Sequence, residues 1–210
     1  YYPLFMNIKD KLAVVVGGGT VAYRKVKTLL DYQALVRIVA PRVIPPLRLL
    51  VDEQRCSWAR KEYAAPDLEG AALVFACTDN EDLNRQAARD AEAAKCLVNI
   101  VNDPEKGSFI VPAVLRNGDL RIAVSTAGSS PLLAQQIRRQ LEEQYGDPML
   151  AEYLELLKSW RPEVKRRLTK EKRRLFWEKV TDGVVLEMIK ADRLKEAKGV
   201  VEQCFQSLLA

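Results

Sequence analysis

The 210 residues predict an α/β protein: a parallel sheet flanked by helices, then an antiparallel hairpin-plus-helix module, then a helical C-terminal domain. Three observations predict it. A short β-branched run, Leu12 to Val16, stops at Gly17-Gly18-Gly19. Strand-like and helix-like segments then alternate as far as Val101. From Met149 onward the apolar residues recur only at helical spacing.

The first run, Leu-Ala-Val-Val-Val, is apolar at every position, as a strand buried on both faces must be. Behind the glycines, Ala22, Val26, Leu29 and Leu30 fall on one helix stripe. Val36 to Ala40 supplies a second strand, ended by Pro41. This is a βαβ unit, whose crossover is right-handed. A helix is expected around Leu47, Leu50 and Val51, with Pro45 and Pro46 near its start, and a partly polar strand over Trp58 to Tyr63. Leu73 to Cys77 is another buried strand, Asp82 to Lys95 an Ala-rich helix, and Leu97 to Val101 the strand that closes the sheet.

Beyond residue 108 the pattern changes. Phe109 to Leu115 and Leu120 to Ser125 flank Arg116-Asn117-Gly118-Asp119, and Asn-Gly supplies the positive φ angles of a tight hairpin. A helix follows, with Ser129 or Ser130 as N-cap, Pro131 in its first turn and Leu133, Ile137 and Leu141 on one face. Gly146-Asp147-Pro148 breaks it. Three segments are expected: 1–110, 111–145 and 146–210.

Composition narrows the chemistry. No histidine occurs, which leaves carboxylates, amides, hydroxyls and thiols for any acid–base or ligand role. No apolar run reaches the roughly 18 residues of a membrane span. The start, Tyr1 to Phe5, has no basic leader, so no signal peptide is expected. Cys56, Cys77, Cys96 and Cys204 are scattered without a paired spacing, as in a cytoplasmic protein. The net charge of +5 suits an anionic ligand. Its basic runs, Lys165 to Arg167 and Lys170 to Arg174, lack the aromatic interleaving of a nucleic-acid surface, so no nucleic-acid partner is expected.

Gly17-Gly18-Gly19-Thr20-Val21-Ala22 fits G-x-G-x-x-A between a strand and a helix. In this Rossmann-type arrangement Gly17 permits the tight turn and Gly19 lets backbone approach a pyrophosphate. Ala22 allows close helix packing, and the helix N-terminus faces the phosphates. Ala40-Pro41-Arg42 stands where an acidic residue would bind ribose, so Arg42 either favours a 2′-phosphate or lines the site through its backbone. Thr78-Asp79 lies at a strand's carboxyl end, facing the crevice or capping the next helix. Asn102-Asp103-Pro104 follows the last strand, where a carboxylate can accept a proton or simply make a turn. Ser125-Thr126-Ala127-Gly128-Ser129-Ser130-Pro131 is a hydroxyl-rich loop suited to carboxylates, although N-capping accounts for at least one serine.

These pieces occur in an order that resembles a known family. Tyr2-Pro3-Leu4-Phe5, Gly17 to Lys25, Val39-Ala40-Pro41, Ala76-Cys77-Thr78-Asp79, Asn99 to Pro112 and Ile122 to Gln135 together are similar to the precorrin-2 dehydrogenase / sirohydrochlorin ferrochelatase family, part of siroheme synthase. The resemblance covers nearly the whole chain. It implies a Rossmann domain, an antiparallel dimerisation module and a helical domain, a homodimer, and NAD rather than NADP. It places cofactor contacts at Thr20, Val21, Pro41 and Arg42, which makes Arg42 a turn residue; they join Gly17 and Gly19 of the motif and Thr78 at the strand end. The octacarboxylate substrate, precorrin-2, would lie against Ser125, Thr126, Ser129 and Ser130. Any metal site is unassigned.

One departure matters. The family's catalytic aspartate aligns on Asn102, and an amide cannot act as a base. Asp103 is adjacent, but neighbours on an extended chain point to opposite sides. Dehydrogenation can survive on positioning alone, whereas iron insertion loses a ligand or proton acceptor. The expected activity is therefore NAD-dependent oxidation of precorrin-2 to sirohydrochlorin. The rivals are a bifunctional dehydrogenase and ferrochelatase, and a non-catalytic NAD(H)-sensing module.

Overall fold

The computed structural model describes residues 1–101 and 103–209. The chain forms two compact units, 1–111 and 112–210.

In the first unit, strands and helices alternate: β1 (Leu12–Val16), α1 (Thr20–Asp31), β2 (Leu35–Val39), α2 (Pro45–Asp52), β3 (Ser57–Ala59), β4 (Ala71–Ala76), α3 (Glu81–Ala93) and β5 (Leu97–Ile100). Short 3-10 turns occupy Ala65–Leu68 and Pro104–Lys106. All pairings are parallel, in the order β3-β2-β1-β4-β5. The order reverses between β1 and β4, which opens a crevice at their carboxyl ends.

Central β1 is apolar throughout because both its faces are covered. Ala13 and Val15 pack with Ala22, Val26 and Leu29 of α1 and Leu47 of α2, while Val14 and Val16 pack with Ala87 and Ala91 of α3. The sequence predicts a strand from Trp58 to Tyr63, but the ladder ends at Ala59. Arg60, Lys61 and Glu62 are exposed, and Lys61 N–H turns back to Ala59 O at 2.9 Å.

The second unit contains the antiparallel pair β6 (Ala113–Asn117) and β7 (Leu120–Val124), then α4 (Pro131–Tyr145), α5 (Pro148–Arg167), α6 (Lys170–Val180), α7 (Val184–Lys190) and α8 (Leu194–Leu209). The hairpin differs from expectation at both ends. Its first strand starts at Ala113 because Pro112 cannot donate to a ladder, and Phe109 belongs to the first unit, edge-on to Phe75 at 5.5 Å. Its loop is Gly118-Asp119, since Asn117 still pairs with Leu120 and only Gly118 takes a positive φ (+54°). Asn117 instead donates its amide to the carbonyls of Tyr145 and Asp147, both at 2.7 Å, which ties the hairpin to the α4–α5 junction.

The helices of this unit close over Tyr153, Leu156, Phe176, Val185, Ile189, Val201 and Phe205. Part of the basic run is structural. Arg173 donates to the Leu168 and Lys165 carbonyls at the end of α5, and Arg167 lies over the Phe205 ring at 5.5 Å. Cations at a helix C-terminus meet the negative end of its dipole. Among the described residues, no helix is long and apolar enough to cross a membrane.

Phe176 is 0% exposed and meets Trp160, Trp177 and Phe205. Phe176→Ala leaves a ring-sized void, so urea unfolding is expected to show a loss of about 3–5 kcal/mol. A loss below about 1 kcal/mol would mean that the helices can collapse onto the gap.

Candidate functional site

The sequence-predicted residues of the first unit gather at the carboxyl edge of its sheet, around the switch between β1 and β4. The glycine turn is fixed by two close backbone approaches. Gly17 has φ +124°, and a Cβ there would stand 2.7 Å from the Cys77 carbonyl oxygen. A Cβ on Gly18 would stand 2.0 Å from the Arg42 carbonyl oxygen. Hydrogen bonds hold both contacts: Gly17 N–H to Val39 O at 3.0 Å, and Ile44 N–H to Gly18 O at 2.9 Å.

Gly19 is different. A Cβ on it would meet nothing within 4 Å, so the fold itself does not require glycine there. Gly19 is the N-cap of α1, which has no side-chain cap and no acidic residue in its first turn. Thr20 and Val21, the first helical residues, are exposed, Val21 at 38% despite being apolar. A positive helix end with room for a close ligand is suited to phosphate oxygens.

Pro41 and Arg42 follow β2 on the same edge, both exposed. Their loop is anchored by the Trp58 indole N–H, which donates to Ala40 O at 2.8 Å. Arg42 meets the glycine turn through its carbonyl, so its main chain shapes the turn.

Thr78 follows β4 and is bound to a residue that motif reading missed. Asn84, buried on α3, accepts from Thr78 N–H at 3.2 Å and donates to Thr78 O at 2.8 Å. The Thr78 hydroxyl lies 2.8 Å from Asn84 Oδ1, and it accepts from Asn80 N–H at 3.2 Å. The polar atoms of Thr78 are thus largely engaged in shaping the loop. The sequence carried a signal for this: an asparagine in the buried stripe Asn84, Ala87, Ala91 needs hydrogen-bond partners.

Asn102 lies outside the described residues. Asp103 heads the turn Pro104–Lys106, accepts Lys106 N–H at 3.2 Å through its carbonyl, and pairs its carboxylate with Lys106 Nζ at 2.5 Å. With Glu81, Asn84, Arg85 and Ile100 it borders a cavity of about 60 Å³. Among the described residues, no cluster of three or more Cys, Asp or Glu side chains has metal-binding geometry.

In the second unit, the loop before α4 uses its hydroxyls on itself. Ser125 Oγ accepts from Ala127 N–H at 3.0 Å, Thr126 Oγ1 from Ser130 N–H at 3.0 Å, and Ser130 Oγ from Leu133 N–H at 3.2 Å. Ser130 is therefore the N-cap. Ala127 and Gly128 both take positive φ, and Ser129 is exposed beside them.

Comparison with known proteins matches three family models in chain order. "Putative NAD(P)-binding" covers residues 4–113, "Sirohaem biosynthesis protein central" 117–144, and "Sirohaem synthase dimerisation region" 150–205. The dimerisation model thus falls on the helices, not on the hairpin module. Relatives include the siroheme synthases of Mannheimia succiniciproducens (36% identical over 207 residues, 96% of this chain and 42% of the relative) and Zymomonas mobilis (37% over 205 residues, 97% and 43%). The chain spans less than half the length of these relatives. Among solved structures, "SirC, precorrin-2 dehydrogenase" is similar at a TM-score of 0.77 and 25% identity, covering 97% of this chain and 100% of that one.

The two glycines predict opposite outcomes. Gly18→Ala should lower the melting temperature by several degrees, because backbone carbonyl atoms occupy the space of the new methyl. Gly19→Asp should melt like the wild type yet lose dinucleotide binding, since a carboxylate would stand where phosphates dock. Thermal melts beside titration calorimetry with NAD check both, and NAD binding by Gly19→Asp at wild-type strength would move the site elsewhere.

Proposed function

The chain belongs to the precorrin-2 dehydrogenase / sirohydrochlorin ferrochelatase family, and from that premise we propose that it oxidises precorrin-2 to sirohydrochlorin with NAD as the acceptor. The observation that carries the reading is the glycine turn: two positions are closed by backbone contact, and the third opens at an uncapped helix start. When bound, NAD supplies an electrophilic ring that takes up a hydride. The turn at Gly17 and the N–H groups of Thr20 and Val21 would hold its pyrophosphate, and Pro41 and Arg42 would border the adenosine ribose. Thr78, fixed by Asn84, would border the nicotinamide half.

The remaining tasks are to orient an octacarboxylate macrocycle and to let the proton left after hydride loss pass to solvent. Bringing reacting atoms into register converts an encounter into a near-unimolecular step, and well-oriented systems gain about 7–11 kcal/mol. Ser125, Thr126, Ser129 and Ser130 would receive carboxylates of precorrin-2 at the start of α4, where N–H groups and exposed Ser129 add to the positive helix end. Asn102 would serve as a hydrogen-bonding residue. Asp103 is already paired to Lys106, which favours a turn role over that of a base.

In this reading residues 1–110 bind the dinucleotide, and 111–145 with 146–210 build the subunit interface of a homodimer. A two-stranded hairpin is marginal alone, so the edges of β6 and β7 would find strands in a second copy, beside the matched dimerisation region. The four free thiols suit the reducing cytoplasm, where we place the reaction. Structural use of Arg167 and Arg173 speaks against a nucleic-acid role for the basic run. The siroheme synthase relatives favour an enzyme over an NAD(H)-sensing module.

The wild type should reduce NAD with precorrin-2 while inserting ferrous or cobaltous ion poorly. Asn102→Asp should raise metal insertion more than dehydrogenation, scored by metal uptake and NADH formation on the same samples. Asp103→Asn should keep its turnover. If that variant folds and binds NAD but loses roughly 10²–10⁴-fold in rate, Asp103 is the base after all.

Light scattering should give twice the 23.7 kDa chain mass at micromolar concentration. A single-chain mass there would remove the homodimer.

A further inference from the structure

Lys25 lies on the third side of α1, beside the buried positions Ala22, Val26 and Leu29 but not among the exposed cations of that helix. Its side chain runs inward to β4. The ammonium stands 5.5 Å from the centroid of the Phe75 ring, and Phe109 packs edge-on against the same ring. Burial pushes the Lys25 ammonium below the usual lysine range, with an opposing effect from Cys77. Burial in turn pushes the Cys77 thiol up to about 12, an effect that the Lys25 charge partly offsets.

Cys77 fixes where this cation sits in the fold. It directly follows β4, and its carbonyl is the group that abuts Gly17. The ammonium is therefore beside the carboxyl end of β4, at the sheet edge that carries the crevice. Ion pairs elsewhere in the chain join exposed or half-exposed cations to acids, but among the described residues no carboxylate lies within salt-bridge distance of Lys25. A cation–π contact contributes about 0.5–2 kcal/mol, well short of the cost of desolvating an ammonium. An apolar side chain of the same length would pack on Phe75 without that cost. The partly buried charge is thus held without a protein counter-ion among the described residues at the crevice edge, where an anionic ligand can supply one.

The dinucleotide phosphates are a poor match. The Lys25 backbone lies six residues beyond Gly19, about 9 Å along the helix axis from the phosphate-facing end, and its ammonium is turned onto the Phe75 ring. A carboxylate ligand fits better. Building on the reading of precorrin-2 as substrate, we infer that Lys25 is a substrate-binding residue whose ammonium pairs with a carboxylate of the tetrapyrrole at the carboxyl end of β4. Pairing would give the partly buried cation a counter-ion and tie the macrocycle to the strand that borders the nicotinamide half of the cofactor.

The test separates binding from turnover. Wild type, Lys25→Met and Lys25→Arg are titrated with uroporphyrin, an octacarboxylate porphyrin, by fluorescence quenching, and separately with NAD by calorimetry. Melting temperatures are recorded for each. Lys25→Met keeps the packing over Phe75 and removes the charge. Loss of a hydrogen bond to a charged group is expected to weaken porphyrin binding about 10–100-fold, with NAD affinity held and the melting temperature unchanged or raised. Lys25→Arg keeps the charge and should recover most of the affinity. Equal porphyrin affinity in wild type and Lys25→Met overturns the assignment. So does a parallel loss of NAD affinity, which would make the cofactor the partner. A wild type that binds porphyrin through Lys25 yet reduces no NAD with precorrin-2 supports the assignment and rejects the reaction instead.

Discussion

The architecture depends on two backbones meeting at the end of β1. The strand can turn into α1 only if nothing projects from Gly17 toward the Cys77 carbonyl or from Gly18 toward the Arg42 carbonyl. Those contacts lock three chain segments together: the turn after β1, the loop after β2 and the residue after β4. Each of the three adjoins residues proposed to hold the dinucleotide. The same constraint that shapes the fold therefore shapes the candidate site, and Gly19 is left as the position where chain packing ends.

This distinction separates the glycines in a way that the motif does not. In G-x-G-x-x-A the middle residue is unspecified, yet here Gly18 makes the tightest approach of the three. The sequence shows three glycines in a row and offers no means of ranking them. Only the course of the 42–44 loop reveals that the middle one is held by packing.

Much else was legible because it depends on local rules. The all-apolar run at Leu12–Val16 can be buried only on both faces, and the stripe from Ala22 to Leu29 can only be helical. The Ser130-Pro131 start of α4 follows capping chemistry. What was not legible depends on partners distant in sequence. The strand at Trp58 stops early because charged residues leave the sheet, while the hairpin turn shifts by one residue because the Asn117 amide is claimed by Tyr145 and Asp147. Asn84 stands out in its buried stripe, but its partner Thr78 does not, and Lys25 looks ordinary until the Phe75 ring on β4 is known. At the candidate site, motif reading gathered residues along one edge of the sheet but missed Asn84, which positions Thr78.

The chemistry turns on a missing carboxylate. With asparagine at position 102 and Asp103 paired to Lys106, the proposed reaction relies on orientation and hydride acceptance. The most direct test is the stoichiometry of a sealed, metal-free single turnover, with NADH and sirohydrochlorin quantified in the same sample. The account predicts one NADH per sirohydrochlorin and no sirohydrochlorin when NAD is left out. Sirohydrochlorin forming at the same rate without NAD, or NADH appearing without it, would contradict the central claim.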